Sequence, residues 1–357
     1  MFLLRGTRWN RQGRPLIVSS IAMTLELKPP VPPMEALSVD QIPSGPDWQY
    51  EPKWDGFRCL AFRDRGEVTL QSKAGRPFNR YFPEIVAAMA ALNADAFVLD
   101  GELAVPSGEN FSFDDLLQRI HPAASRVKRL AAETPAVFIA FDLIAGTDGR
   151  SVMPQVLAER RPLLERFAAR QLAGNERIRL SPATGRLAEA RGWLERVGAT
   201  LDGIIAKQRS AEYRPGERTA VRKIKNYRSA DCVIGGFRYG TGSRRVGSLL
   251  LGLYDDAGLL HHVGFTSAIA ATERAALTEK LERLVAPPGF TGDAPGAPSR
   301  WSTERSAEWV PLRPVLVAEV RYDHVTAGRF RHGTRFIRWR PDKSPDQCTC
   351  DQLSQSA

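Results

Sequence analysis

Beyond Trp48 the apolar positions come in short runs broken by glycine, proline and charge, a strand-rich pattern. Residues 58–62 and 67–71 flank Asp64-Arg65-Gly66, which predicts a hairpin. Residues 82–92 carry helical spacing, with Pro83 in the first turn, where a missing N–H leaves no bond unmade. Residues 96–99 predict a buried strand that delivers Asp100-Gly101-Glu102, and residues 137–143 predict another. Residues 155–170 and 187–197 have helical spacing and charged outer faces, whereas residues 202–207 return to a strand pattern. Strands and helices mixed in this way imply an α+β domain of packed sheets.

The pattern changes after Lys225. Residues 231–239, 248–254 and 259–265 predict three strands separated by glycine, and residues 270–284 a helix. Residues 286–314, rich in proline, glycine and serine, read as loop, and residues 315–322 and 335–340 as two further strands. Five strands with an interposed helix fit a small Greek-key barrel of the OB type. The expected organisation is therefore a basic stretch over residues 1–27, a first domain over 28–228 and an OB barrel over 229–357. Residues 1–23 hold Arg5, Arg8, Arg11 and Arg14 and no acid, and read as disordered or as lying upstream of a true start at Met23. Pro29, Pro30, Pro32 and Pro33 predict an extended lead-in. No run approaches the length of a membrane span.

Composition adds a direction. The 357 residues are 43% hydrophobic and 25% charged, which is enough for real cores. The net charge of +10 favours a polyanionic partner, most often nucleic acid. Cys59, Cys232, Cys348 and Cys350 lack the spacing of a four-ligand zinc site and read as free thiols of a reducing cytoplasm.

The chemistry lies in an ordered set of short motifs. Lys53 sits in KWDG, within EPKWDGFR (residues 51–58), and Glu102 closes LDGE. Phe141 sits in FIAFDL, Asp202 and Lys207 bracket DGIIAK, Lys223 and Lys225 form KIK, and Arg340, Asp342 and Lys343 belong to RPDK. Each alone is weak: a lone Lys53 reads as a surface lysine, Phe141 as core, and KIK as an exposed strand face. Together, in order, and at strand ends or on strands, they carry more weight. A lysine amine near pKa 10.4 is a poor nucleophile until burial or neighbouring cations free its lone pair.

On these motifs, from about Lys28 to Thr349, the chain resembles the ATP-dependent DNA ligases of the covalent nucleotidyltransferase superfamily. It is most similar to short bacterial ligases made of a nucleotidyltransferase (adenylation) domain, with packed antiparallel sheets, and an OB domain. The resemblance implies a catalytic Lys53 that takes AMP from ATP. It implies that Glu51 reads adenine, that Arg58 and Glu102 contact ribose, and that Phe141 stacks on the base. Lys223 and Lys225 would grip the α-phosphate, Asp342 and Lys343 would orient pyrophosphate, and Lys207 and Arg218 would support phosphate contacts. Glu102 and Asp202, hard oxygen donors, would hold Mg²⁺ or Mn²⁺. Lys73 in SKAG stands where the family has arginine, so a forked grip on the DNA 5′-phosphate becomes a point charge. Asp202 replaces the more usual glutamate, and Val221 stands where many relatives carry tryptophan. Arg244 and Arg245, in a glycine-rich turn, are candidate phosphate contacts, with a plain solvated hairpin tip the equal alternative.

The implied activity is sealing of nicks in duplex DNA by a cytoplasmic bacterial repair enzyme, monomeric by default, with a partner polymerase or end-binding protein left open. The leader and zinc modules of NAD-dependent ligases are not found, which favours ATP. An RNA ligase or capping nucleotidyltransferase of the same superfamily is the alternative, and a non-catalytic nucleic-acid-binding protein is the alternative from another class.

Overall fold

The computed structural model describes residues 25–108, 110–195, 201–225, 227–296, 308–326 and 328–354. The reading of residues 1–23 and the end of the helix expected over 187–197 lie outside these residues. The chain divides into two units. The first comprises residues 1–37, 43–185 and 206–222, and the second residues 38–42, 186–205 and 223–357.

In chain order the first strands are β1 (Leu37–Ser38), β2 (Trp48–Trp54), β3 (Phe57–Asp64), β4 (Glu67–Ser72) and β5 (Ala96–Ala104). A small hairpin, β6 (Pro106–Ser107) and β7 (Asn110–Phe111), precedes β8 (Val137–Ala145), β9 (Ile178–Leu180), β10 (Leu201–Gln208) and β11 (Val221–Ile224). The first unit is built on the five-stranded sheet β4-β3-β5-β8-β9. Strand β8 is buried along its whole length, as a central strand covered on both faces must be. Helices α1 (Pro83–Ala90), α3 (Ala124–Glu133) and α4 (Leu157–Gln171) belong to the same unit, with the short α2 (Phe113–Gln118) between the first two. Its core gathers Phe82, Phe97, Phe138, Leu99 and Leu164, none of them exposed. The proline-rich lead-in lacks regular structure and is anchored by Gln71, whose side chain accepts from Val31 N–H at 2.8 Å and donates to Val31 C=O at 2.7 Å. A second sheet runs β1-β11-β10-β2.

The second unit holds β12 (Arg228–Tyr239), β13 (Val246–Tyr254), β14 (Leu260–Thr266), β15 (Val310–Pro311), β16 (Val317–Tyr322), β17 (Val325–Thr326), β18 (Arg329–Phe330) and β19 (Arg335–Trp339). The sheet order is β14-β13-β12-β16-β19, with β15 added against β12. A bridge between Thr266, at the end of β14, and Thr334, just before β19, joins the two outer strands and curls the sheet toward a barrel. The fold is thus α+β, a mixed-sheet domain with packed helices followed by a small barrel of the OB type.

Several local expectations change. The strand expected to stop before Asp100 continues to Ala104, because Asp100 and Glu102 are neighbours on one face of β5 and bond across to β3. One strand pair in the first unit is parallel, β8 with β9 through Phe138 and Ile178, whereas antiparallel sheets were expected. Residues expected as loop include β15, and the helix expected over 270–284 is the shorter Arg274–Glu282. Among the described residues no helix is long and apolar enough to cross a membrane.

Candidate active site

Register places the first group. On β3 and β5, Arg58 faces Glu102 and Leu60 faces Asp100. Arg58 reaches diagonally to Asp100, donating from Nε to Oδ1 and from Nη2 to Oδ2, both at 2.6 Å. Tyr213 Oη donates to Oδ2 of the same carboxylate at 2.6 Å. Asp100 is fully buried, so this fork and hydroxyl replace its hydration. Burial opposes charge on Arg58, but Asp100 outweighs it and holds the guanidinium above the usual arginine range.

Strand β8 delivers Phe141 through a bulge. Asp100 pairs with Asp142 and Gly101 with Ala140, so Phe141 is the extra residue. Its ring lies 4.5 Å from Arg58 Cζ and 4.8 Å from Lys207 Nζ. Lys207, buried on β10, also donates to Phe141 C=O at 3.0 Å and pairs with Glu51 Oε2 at 2.8 Å. Gln49 Nε2 donates to the other Glu51 oxygen at 2.8 Å. Glu51, Arg58, Phe141 and Lys207 therefore form one connected cluster.

Lys53 is half-buried near the end of β2, and Gly56 follows it at a close crossing. A Cβ at Gly56 would strike the Leu103 carbonyl oxygen, so β3 enters the sheet only with glycine there. Burial pushes the Glu102 carboxyl up to about 7, although Arg58 and Lys53 both pull it down.

Lys73 and Arg218 meet at a residue the motifs did not indicate, Glu35. Lys73 Nζ lies 3.1 Å from Oε1, and Arg218 pairs with Oε2 at 2.5 Å. The Lys73 bond, with Arg218 beside it, holds the Glu35 carboxyl below its usual range.

In the second unit Lys225 lies 3.5 Å from Asp202 and 2.5 Å from Asp323. Asp323 also bonds His332 Nδ1 at 3.1 Å. Burial works against the Lys225 ammonium, and Asp202 and Asp323 together raise its pKa. Lys223 lies on β11 beside this group in sequence. Asp342 and Lys343 follow β19, with Arg340 joining Asp231 to Asp342. Arg244 and Arg245 occupy the exposed turn between β12 and β13. Among the described residues no three His, Cys, Asp or Glu side chains cluster as a metal site. The four cysteines are free thiols.

Sequence reading passed over Asp100, Tyr213, Glu35, Asp231 and Asp323. Asp100 had a signal, its place inside LDGE. The other four stand outside every motif.

A family model described as the ATP dependent DNA ligase domain matches residues 33–225, and one described as the ATP dependent DNA ligase C terminal region matches residues 242–343. DNA ligase C2 of Mycolicibacterium smegmatis is 46% identical over 348 residues, covering 93% of this chain and 96% of that protein. DNA ligase C of Mycobacterium tuberculosis is 44% identical over 349 residues, with the same coverages. A solved Lig E DNA ligase, described as binding DNA with a minimal scaffold, has a TM-score of 0.53 at 17% identity, covering 86% of this chain and 100% of that one. At that identity the likeness concerns the fold.

Proposed function

The chain belongs to the ATP-dependent DNA ligases, and from that membership we infer that it seals 5′-phosphate/3′-hydroxyl nicks in duplex DNA through an AMP adduct on Lys53. The observation that supports Lys53 as the nucleophile is its place, half-buried near the end of β2 and three residues before Gly56, whose backbone packs directly against Leu103 and Glu102 of β5.

Three displacements at phosphorus follow. Deprotonated Lys53 Nζ attacks the α-phosphorus of ATP, forming a P–N bond as the bond to pyrophosphate breaks. The nick's 5′-phosphate oxygen then takes AMP, and the P–N bond breaks. Finally the 3′-hydroxyl attacks the activated 5′-phosphorus, losing its proton, and AMP leaves. Each step spreads negative charge over phosphate oxygens, which fixed cations stabilise better than mobile water. We assign that work to Lys223 and Lys225, with Asp342 and Lys343 facing pyrophosphate. Glu51 and Phe141 take the base edge and face, and Arg58 and Glu102 the ribose. Lys207 would support phosphate contacts through its place beside Glu51 and Phe141.

Glu102 fits a divalent cation, because its carboxylate, half-buried on β5, offers hard oxygen. Asp202 offers a second such donor. Bound Mg²⁺ or Mn²⁺ would neutralise phosphate charge. Lys73, Arg218, Arg244 and Arg245 are assigned to DNA phosphate. The adenylation domain is proposed over residues 28–228 and the barrel over 229–357, acting as a monomer in bacterial DNA repair in the cytoplasm.

Incubation with ATP and Mg²⁺, followed by intact mass, tests the reading. The protein should gain one AMP. Lys53→Ala should gain none, yet still seal a nick supplied already adenylylated. A normal AMP adduct on Lys53→Ala would sink the mechanism.

A further inference from the structure

Asp231 lies near the start of β12 and is 9% exposed. Two cations of the RPDK segment converge on its carboxylate. Arg340 Nη1 donates to Oδ1 and Oδ2, each at 2.9 Å, and Lys343 Nζ donates to Oδ2 at 2.8 Å. The remaining edge of Arg340 is turned to Asp342, with Nε at 3.0 and 3.2 Å and Nη2 at 2.8 Å. Arg340 is committed between two carboxylates and serves as a strut. Lys343 differs: an ammonium has three donors, and Asp231 takes one of them.

The hub is itself fixed. Asp231 N–H donates to Gln352 Oε1 at 2.9 Å, and Asp231 C=O accepts from Gln352 Nε2 at 3.1 Å. Beyond RPDK, Tyr254 N–H donates to Cys348 C=O at 2.8 Å, and Cys350 N–H donates to Tyr254 C=O at 2.9 Å. The chain from Arg340 to Gln352 is therefore held to the barrel at both ends, and the Asp231 carboxylate sets the spacing of its charged groups.

We propose that Asp231 is the positioning residue of the RPDK motif, aligning Lys343 and Asp342 for the pyrophosphate released when Lys53 is adenylylated. This rests on the reading that Asp342 and Lys343 face pyrophosphate. Its consequence is confinement to one step. Pyrophosphate is present only while the AMP adduct forms, so later steps do not need this alignment.

The test uses the full chain with Asp231→Asn, Lys343→Met and both together. One assay measures AMP transfer from ATP to the protein in a single turnover. The other measures sealing of a pre-adenylylated nick by protein that carries no AMP. Each single change should slow adduct formation on the order of 10- to 100-fold, as expected for misplaced catalytic contacts. The double variant should lose clearly less than the product of the two single losses, because the two changes share the Asp231–Lys343 contact. Sealing of the pre-adenylylated nick should stay within about twofold of the unaltered protein, and Asp231→Glu should recover part of the lost rate. Additive losses, equal slowing of both assays (as poor folding would give), or normal adduct formation by Asp231→Asn would each overturn the proposal. Failure of the unaltered protein to take AMP would instead overturn the ligase reading on which it rests.

Discussion

Asp100 shows how much can hang on one carboxylate. Arg58 and Tyr213 both donate to it, and it has no access to water. Asp100→Asn removes the charge and leaves the Arg58 guanidinium without its counter-ion, so it should destabilise the first unit by about 3 kcal/mol. Tyr213→Phe removes two hydrogen bonds, the one donated to Asp100 and the one accepted from Met34 N–H at 3.0 Å, but no charge, and should cost about 2 kcal/mol. Urea unfolding of both variants measures the difference, and equal losses would contradict a charge-centred hub. Glu35 presents the converse case. Its carboxylate holds Lys73 and Arg218, both mostly exposed. Glu35→Gln weakens both pairs and should tighten binding to a 5′-phosphorylated nick by about two- to fivefold, the scale of surface ion pairs. Titration by fluorescence anisotropy at low salt would show it, and weaker binding would mean that Glu35 orients the cations more than it competes for them.

Two strands set conditions that their side chains alone do not reveal. On β10, Gly203 has φ +134°, and a Cβ there would collide with the Ile224 carbonyl oxygen of β11. Gly203→Ala should therefore cost about 2 kcal/mol or more, from strain and from displaced backbone. It should also lower AMP transfer, because Asp202 precedes it and Lys225 lies just beyond the struck carbonyl. On β14, His262 is buried against the Phe290 ring and accepts from Arg329 Nη2 through Nδ1 at 2.7 Å. Burial first, then Arg329 and Arg238, bring its pKa down to about 3. An unfolded chain takes up that proton near pH 6.5, so between about pH 6.5 and pH 3 the unfolded state holds more protons. The stability is complete above that window and falls as pH drops through it, by up to about 1.4 kcal/mol per pH unit. Urea midpoints of the second unit should follow this slope, and His262→Gln should flatten it. An unchanged slope in the variant would assign the dependence to carboxylates.

Taken whole, the chain carries a net charge of +10, which favours a polyanionic partner. Binding driven by phosphate neutralisation releases counter-ions, so log K should fall linearly with log salt, by roughly 0.9 per phosphate contacted. Arg244 and Arg245 occupy an exposed turn, and replacing both with alanine should reduce that slope by about 1 to 2 if each meets a phosphate. A slope that stays the same would return that turn to a plain hairpin tip.

Much of the architecture follows from neighbours along the chain. The hairpin about Asp64-Arg65-Gly66, the proline-initiated α1 and the three-strand run opening the barrel depend on turn chemistry and period, which short stretches carry. The motif residues were legible for the same reason, since KWDG, LDGE and RPDK are contiguous. Their partners were not. Asp231 and Arg340 are 109 residues apart, Glu35 and Arg218 are 183 apart, and only the barrel and sheets bring them together. The bulge that turns Phe141 toward Arg58, and the diagonal that gives Arg58 to Asp100 while facing it to Glu102, depend on register between strands. Covalent order selects which groups can react and where the backbone turns. Long-range pairing and burial select which charges are neutralised, because a carboxylate's partner is whichever cation the packed sheets leave within reach once water is gone.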